Sequence, residues 1–339
     1  MGLLYKLKDK YKTVSIVGMA KNAGKTTALN YLIEEAMDDG VRLGVTSTGR
    51  DGETQDLVTG TDKPQIYLEQ DTIVTIPTQL YEMADAGLEI LKKTKYSTPL
   101  GTLLLCRVAD SGYAQIAGTP AAADTGKVCE EMLGYGCEMI LIDGAIDRKS
   151  IASPETSDAV ILSTGAVLSR SMRKVVEETA HIVTLYSLPE MEQGEARALI
   201  EENNFDDRIM LISRDGRVVK LDLATGLGSS RFIDSEIDDD TEYVYIPGAF
   251  TNSVIADINL KKLKRIKFIL KNPTKIFLSA MDWGLWRKKG LRVNVLKNIK
   301  IAAITVNPWA PAGYTFDREA LIAAMQEAIP DMPVVDVRV

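Results

Sequence analysis

The stretch that most restricts the fold of this chain is VSIVGMAKNAGKTTALN, residues 14–30. An apolar run, Val14-Ser15-Ile16-Val17, meets Gly18 and a short loop, then Gly24-Lys25-Thr26-Thr27 and a helical pattern. A strand that passes through a glycine-bearing loop directly into a helix belongs to α/β architecture, with the loop on the carboxyl edge of a parallel sheet. Such a loop turns several backbone N–H groups toward one point, and the helix N-terminus adds partial positive charge there. Phosphate is the natural ligand. Gly18, Asn22, Ala23, Gly24, Lys25, Thr26 and Thr27 are the candidate nucleotide-binding residues. Lys25 is placed to reach the terminal phosphates, Thr26 to put its hydroxyl on Mg²⁺, and Thr27 to support the α-phosphate. Gly18 lies one place earlier than in the usual phosphate loop, since five residues separate it from Gly24.

The rest of the first half supports this reading. Apolar strands are expected over 13–18, 41–47, 102–109, 138–143 and 158–164, and helices over 24–38, 79–93, 121–134 and 170–183. Strands alternating with helices of that length imply a mainly parallel sheet covered on both faces. The segment MILIDGAID ends its strand in Asp143, a carboxylate placed to hold Mg²⁺ together with Thr26, and Asp147 follows one helical turn later. After the second strand, TSTGRDGETQD carries Thr48, Arg50, Asp51, Glu53 and Asp56 to the same sheet edge. Asp51 and Glu53 are the candidates to order Mg²⁺ or orient a water, and Arg50 to meet phosphate. Lys25, Asp143, Asp51 and Glu53 form the candidate catalytic set.

The middle of the chain changes character. RIMLISRDGRVVKLDL reads as a hairpin around Asp215-Gly216, and EYVYIPG adds a strand. Buried-style strands are expected again over 274–280 and 300–308, then a helix over 317–328 and a short last strand. The expected division is a P-loop core over 1–190, a β-rich insert over 191–265, and 266–339 completing the core. Asn307 ends a strand on the ligand edge, where it is placed either to contact a nucleotide base or to make a plain turn.

Charge is unevenly distributed. The net charge is −7, yet residues 261–300 hold thirteen Lys or Arg against the single acid Asp282. An acidic chain of this kind is a poor general nucleic-acid binder, although its local basic block could meet an acidic partner, a nucleotide or RNA. Trp283 and Trp286 within that block are either core residues or part of a docking surface. No run of residues is long and apolar enough for a membrane span, and no secretory leader is evident, so a cytoplasmic protein is expected. Three cysteines without metal-type spacing read as buried thiols. The only histidine, His181, lies at the end of an amphipathic helix and argues against His-rich metal and Ser-His-Asp chemistry.

The loop GMAKNAGKTT, with its wider glycine spacing, resembles that of dethiobiotin synthetase and the cobyric acid synthases, within the P-loop class that includes MinD-like ATPases. The lysine that MinD-like members carry five places before the loop lysine falls on Ala20, with Lys21 one place later. GMAKNAGKTTALN, TSTGRDGE, PLGTLLLCRV, LIDGAIDRKS and DAVILSTGA together resemble the smaller reactivase subunit associated with lysine 5,6-aminomutase. That resemblance implies ATP and Mg²⁺ as cofactors. It also implies a MutS-like partner subunit, and a role in exchanging damaged cobalamin on an adenosylcobalamin-dependent aminomutase. An ATP-dependent ligase of the dethiobiotin synthetase type, or a non-hydrolysing nucleotide-binding scaffold, are the alternative expectations.

Overall fold

A computed structural model describes residues 2–48, 66–119, 121–144, 156–203, 208–222 and 229–337. The chain forms two compact units, Met1–Thr179 with Lys300–Val339, and Ala180–Ile299.

The first unit is α/β, built on one nine-stranded sheet. From one edge the strands run Val334–Val335, Ile301–Asn307, Ala159–Gly165, Thr13–Gly18, Met139–Asp143, Leu43–Ser47, Ile73–Pro77, Gly101–Asp110 and Gly87–Thr98. Pairing is parallel as far as Ile73–Pro77, and the last two strands join antiparallel. The central strands are buried throughout because helices cover both faces. The helix Lys25–Asp38 buries Ala28, Leu29, Leu32, Ile33 and Ala36, one stripe at helical spacing, in a cluster with Val14, Ile16, Val45 and Leu141. The helix Ala122–Gly134 covers the opposite face, where Val128, Cys129 and Met132 pack with Ile140 and Ile142. Leu141 and its neighbours thus alternate between the two layers, as the two-residue period of a strand requires.

The helix expected over 79–93 is not formed. Only Thr78–Tyr81 is helical, and Gly87–Thr98 is a strand hydrogen-bonded to Gly101–Asp110. Leu, Glu and Lys favour helix locally, but the pairing offered by the neighbouring strand outweighs that preference. As the edge of the sheet it carries Lys92, Lys93 and Lys95 and three register shifts, features that discourage pairing with another chain.

The second unit holds a five-stranded sheet in the order Val218–Lys220, Met210–Ser213, Thr241–Ile246, Lys267–Leu270, Val293–Val295. The hairpin around Asp215-Gly216 forms as expected, with Met210 opposite Lys220. The boundary expected near 265 lies elsewhere. Lys267–Leu270 pairs in parallel with Thr241–Ile246, and Val293–Val295 pairs with Lys267–Leu270, so this unit extends to Ile299. The strand expected over 274–280 is replaced by a short 3-10 turn, Pro273–Lys275, followed by the helix Ala280–Lys289. The Asn272 side chain accepts a hydrogen bond from the Thr274 N–H at 3.1 Å, a local bond that competes with a sheet ladder, and Pro273 has no N–H to give.

Candidate functional site

Five strand ends of the first unit meet at one edge: Gly18, Ser47, Asp143, Gly165 and Asn307. Register explains the convergence. Asp143 pairs with Ile16 on one side and with Ser47 on the other, and Asn307 pairs with Gly165. Beyond this edge the chain leaves Gly18, crosses residues 19–23 and enters the helix at Lys25.

The loop is held open by its backbone. Asn22 has φ 65° and Gly24 φ 96°, both in the left-handed region. At Gly24 a side chain is disfavoured twice over, by that dihedral and because a Cβ would sit 3.2 Å from Asn307 Cβ. Among the described residues no side chain caps the helix that follows. Its first N–H groups therefore have no partner within the helix and are turned toward the space above the sheet edge, as phosphate binding requires.

Lys25 Nζ lies 2.9 Å from Asp143 Oδ1, the two side chains being 14% and 24% exposed, and it also donates to the Gly144 carbonyl. The sequence thus places lysine and carboxylate on separate segments, and the parallel pairing of their strands brings them together. Asp143 is fixed through its backbone: its carbonyl accepts from the Thr48 N–H at 3.0 Å and from Ser47 Oγ at 3.1 Å. Gly144 N–H donates to the Ile16 carbonyl at 3.1 Å, which ties the carboxylate strand to the loop strand. Thr26 and Thr27 occupy the second and third positions of the helix, half-buried on the same edge. Ala23 is buried and anchors the loop by packing.

Asn307, at the end of its strand, lies beside the loop. Its Nδ2 donates to the Asn22 carbonyl at 3.1 Å and its Oδ1 accepts from the Trp309 N–H at 3.2 Å, so both ends of the buried amide hold backbone. It braces the loop between Gly18 and Lys25 from the neighbouring strand. Gly165 permits that approach, since a Cβ there would fall 2.1 Å from the Asn307 carbonyl oxygen. Residues far apart in the sequence make this brace, and only the strand order reveals it.

Arg50, Asp51, Glu53, Asp56 and Asp147 lie outside the described residues. Thr48 is described: it is buried at the strand end and forms a parallel bridge with Thr119. Among the described residues no group of three or more His, Cys, Asp and Glu converges to hold a metal. A divalent ion at this edge would accordingly rest on Asp143, the Thr26 hydroxyl and oxygens of the ligand. That oxygen-only set, with few protein groups, suits Mg²⁺.

The remaining candidates settle into structural roles. His181 is half-buried, with Nε2 3.0 Å from the Leu278 carbonyl. Cys106, Cys129 and Cys137 are free and buried, and burial pushes each thiol up to about 12. They are inert at neutral pH. Trp283 and Trp286 are buried in the second unit, and Trp286 Nε1 donates to Asn252 Oδ1 at 2.8 Å. A cleft of about 360 Å³ in the second unit, with Glu192, Arg214, Glu242 and Lys267 on its walls, was not legible in the sequence, because its lining comes from five separate segments. Among the described residues no helix is long and apolar enough to cross a membrane. No family model, no curated protein and no solved structure matches the chain.

Proposed function

We propose that this protein binds a nucleoside triphosphate with Mg²⁺ at the loop between Gly18 and Thr27 and hydrolyses it, as a P-loop NTPase. One observation carries the reading: Lys25 stands at the uncapped start of a helix, 2.9 Å from the strand-end carboxylate of Asp143. A cation, a carboxylate and the N–H groups of a helix start at one sheet edge are the components of phosphoryl transfer, which depends on positioning and charge neutralisation.

In this reading Lys25 exchanges its ion pair with Asp143 for a bond to phosphate oxygens. The N–H groups from Gly24 to Thr27 hold the phosphate chain, and Asn307 keeps the loop in register through the Asn22 carbonyl. Mg²⁺, when bound between Thr26, Asp143 and the phosphates, supplies neutralisation of the charge that develops during transfer. The cellular role we propose is the one the sequence resemblance implies. The protein would work with a MutS-like partner to restore an adenosylcobalamin-dependent aminomutase by exchanging its damaged cobalamin, alternating the target between open and closed states.

Calorimetric titration with a non-hydrolysable ATP analogue tests the site. Lys25→Ala should lose about 1.5–3 kcal/mol of binding, the worth of a hydrogen bond to a charged group. Unchanged affinity in a folded variant removes the site. The role is tested by mixing protein, MutS-like partner, ATP, Mg²⁺ and free adenosylcobalamin with an inactivated lysine 5,6-aminomutase. Recovery that requires ATP and Lys25 supports it. Formation of a phosphorylated or ligated small molecule supports a ligase in its place.

A further inference from the structure

The helix Ala280–Lys289 in the second unit has two apolar faces, and the unit's own core uses only one. Its start is firmly set. Ser279 Oγ accepts from the Asp282 N–H at 3.1 Å, and Leu278 and Trp283, one residue before and four residues after that cap, are both buried. This is a capped helix with a hydrophobic staple pattern. Trp283 and Trp286 point inward, 6% and 8% exposed. At about 100° per residue, Met281, Leu285 and Lys288 fall on the opposite side, one above the other. There Met281 is 81% exposed and Leu285 48%.

Charge gives the strip a direction. Its far end is basic: Lys288 is exposed, Lys289 Nζ sits 4.3 Å from the centre of the Trp286 ring, and exposed Lys264 from the helix Leu260–Arg265 lies against Gly290. Asp282 does not offset them, because its carboxylate accepts the Ser279 hydroxyl at 2.7 Å at the other end of the helix. We propose that this face docks an amphipathic helix of a partner protein, one that carries acidic residues beyond a row of apolar ones. A row of side chains four residues apart is a ridge, and a ridge packs into the groove of a single partner helix. The charges select the acidic partner and its direction.

Other occupants fit less well. A twofold pairing of this face with itself would run the two helices antiparallel and bring each lysine end to the other copy's Ser279 end, where the one carboxylate, Asp282, already accepts the Ser279 hydroxyl. A lipid interface favours outward tryptophan, and single-stranded nucleic acid favours outward stacking rings, whereas both tryptophans here are turned into the core. The proposal is independent of the nucleotide site.

The test uses the full chain and fluorescence anisotropy. The probe is a labelled synthetic helix with leucines at every third and fourth position and glutamates beside them. Its control is the same peptide with lysine for glutamate. The wild type should bind the acidic peptide, more weakly as salt rises. Binding should fall at least tenfold in Met281→Ser with Leu285→Ser, and in Lys264→Glu with Lys288→Glu, with an unchanged melting temperature in each. The second variant should gain affinity for the lysine peptide. The proposal is overturned by no binding of the acidic peptide, by equal binding of both peptides, or by wild-type binding in both double variants. It is likewise overturned if only phosphatidylserine vesicles or a single-stranded oligonucleotide bind this face, or if sedimentation finds a dimer that both variants dissolve.

Discussion

Replacing Asp143 by Asn separates the two jobs assigned to that carboxylate. In the structure its charge holds Lys25 at 2.9 Å. Asn keeps the shape and removes the charge, while the Gly144 carbonyl still accepts from Lys25. Exposed ion pairs contribute roughly 0–1 kcal/mol, and breaking a fully buried one costs about 3–5 kcal/mol. Side chains 14% and 24% exposed fall between these limits, so about 1–2 kcal/mol is the energy a phosphate must overcome to draw Lys25 away. Without Mg²⁺, then, Asp143→Asn should bind an ATP analogue more tightly than the wild type, by roughly 5–30-fold. With Mg²⁺ the order should narrow or reverse, because the wild-type carboxylate gains the ion and the variant does not. Titration calorimetry in EDTA and in Mg²⁺ measures all four affinities. Phosphate release should fall further than binding, since the metal acts chiefly as charge develops. Equal or weaker binding of the variant in EDTA, with the Mg²⁺ effect intact, would refute the exchange of partners and leave Asp143 a strand-end residue.

Three further outcomes are expected. Asn307→Ala removes the bond to the Asn22 carbonyl and should weaken nucleotide binding by about 1 kcal/mol, read by the same titration, with hydrolysis falling in proportion. Gly24→Ala forces a side chain into φ 96° beside Asn307, which costs roughly 1–2 kcal/mol and should lower the melting temperature of the folded chain by several degrees in calorimetry. The thiols of Cys106, Cys129 and Cys137, held up to about 12 by burial, ionise near pH 8.5 (approximately) only in the unfolded chain. The stability they contribute is therefore complete below that pH and is lost as pH rises toward 12. The melting temperature should decline over that window, and a thiol reagent at pH 8 should find three reactive groups only after denaturation.

Short-range patterns settled much of the core. The run Val14-Ser15-Ile16-Val17 before a glycine loop, and the stripe from Ala28 to Ala36, each carry their own period, so the strand and helix around Lys25 are legible locally. The same holds for the strand ending in Asp143 and for the hairpin around Asp215-Gly216. Where the sequence misled, a long-range pairing outweighed local preference. Residues 87–98 contain good helix formers yet lie in the sheet, because the strand Gly101–Asp110 offers them a hydrogen-bonded edge. Lys267–Leu270 sits in the second sheet because Thr241–Ile246 pairs with it. The chemistry divides the same way. The sequence by itself names Lys25, Thr26 and Asp143, since residue type and position at a strand or helix end are local properties. Only the tertiary structure brings Lys25 and Asp143 within 2.9 Å, sets Asn307 under the Asn22 carbonyl, and turns Trp283 inward while leaving Met281 outside. Strand order and helix facing arise from contacts between segments as many as 285 residues apart, and no local pattern encodes which segments those will be.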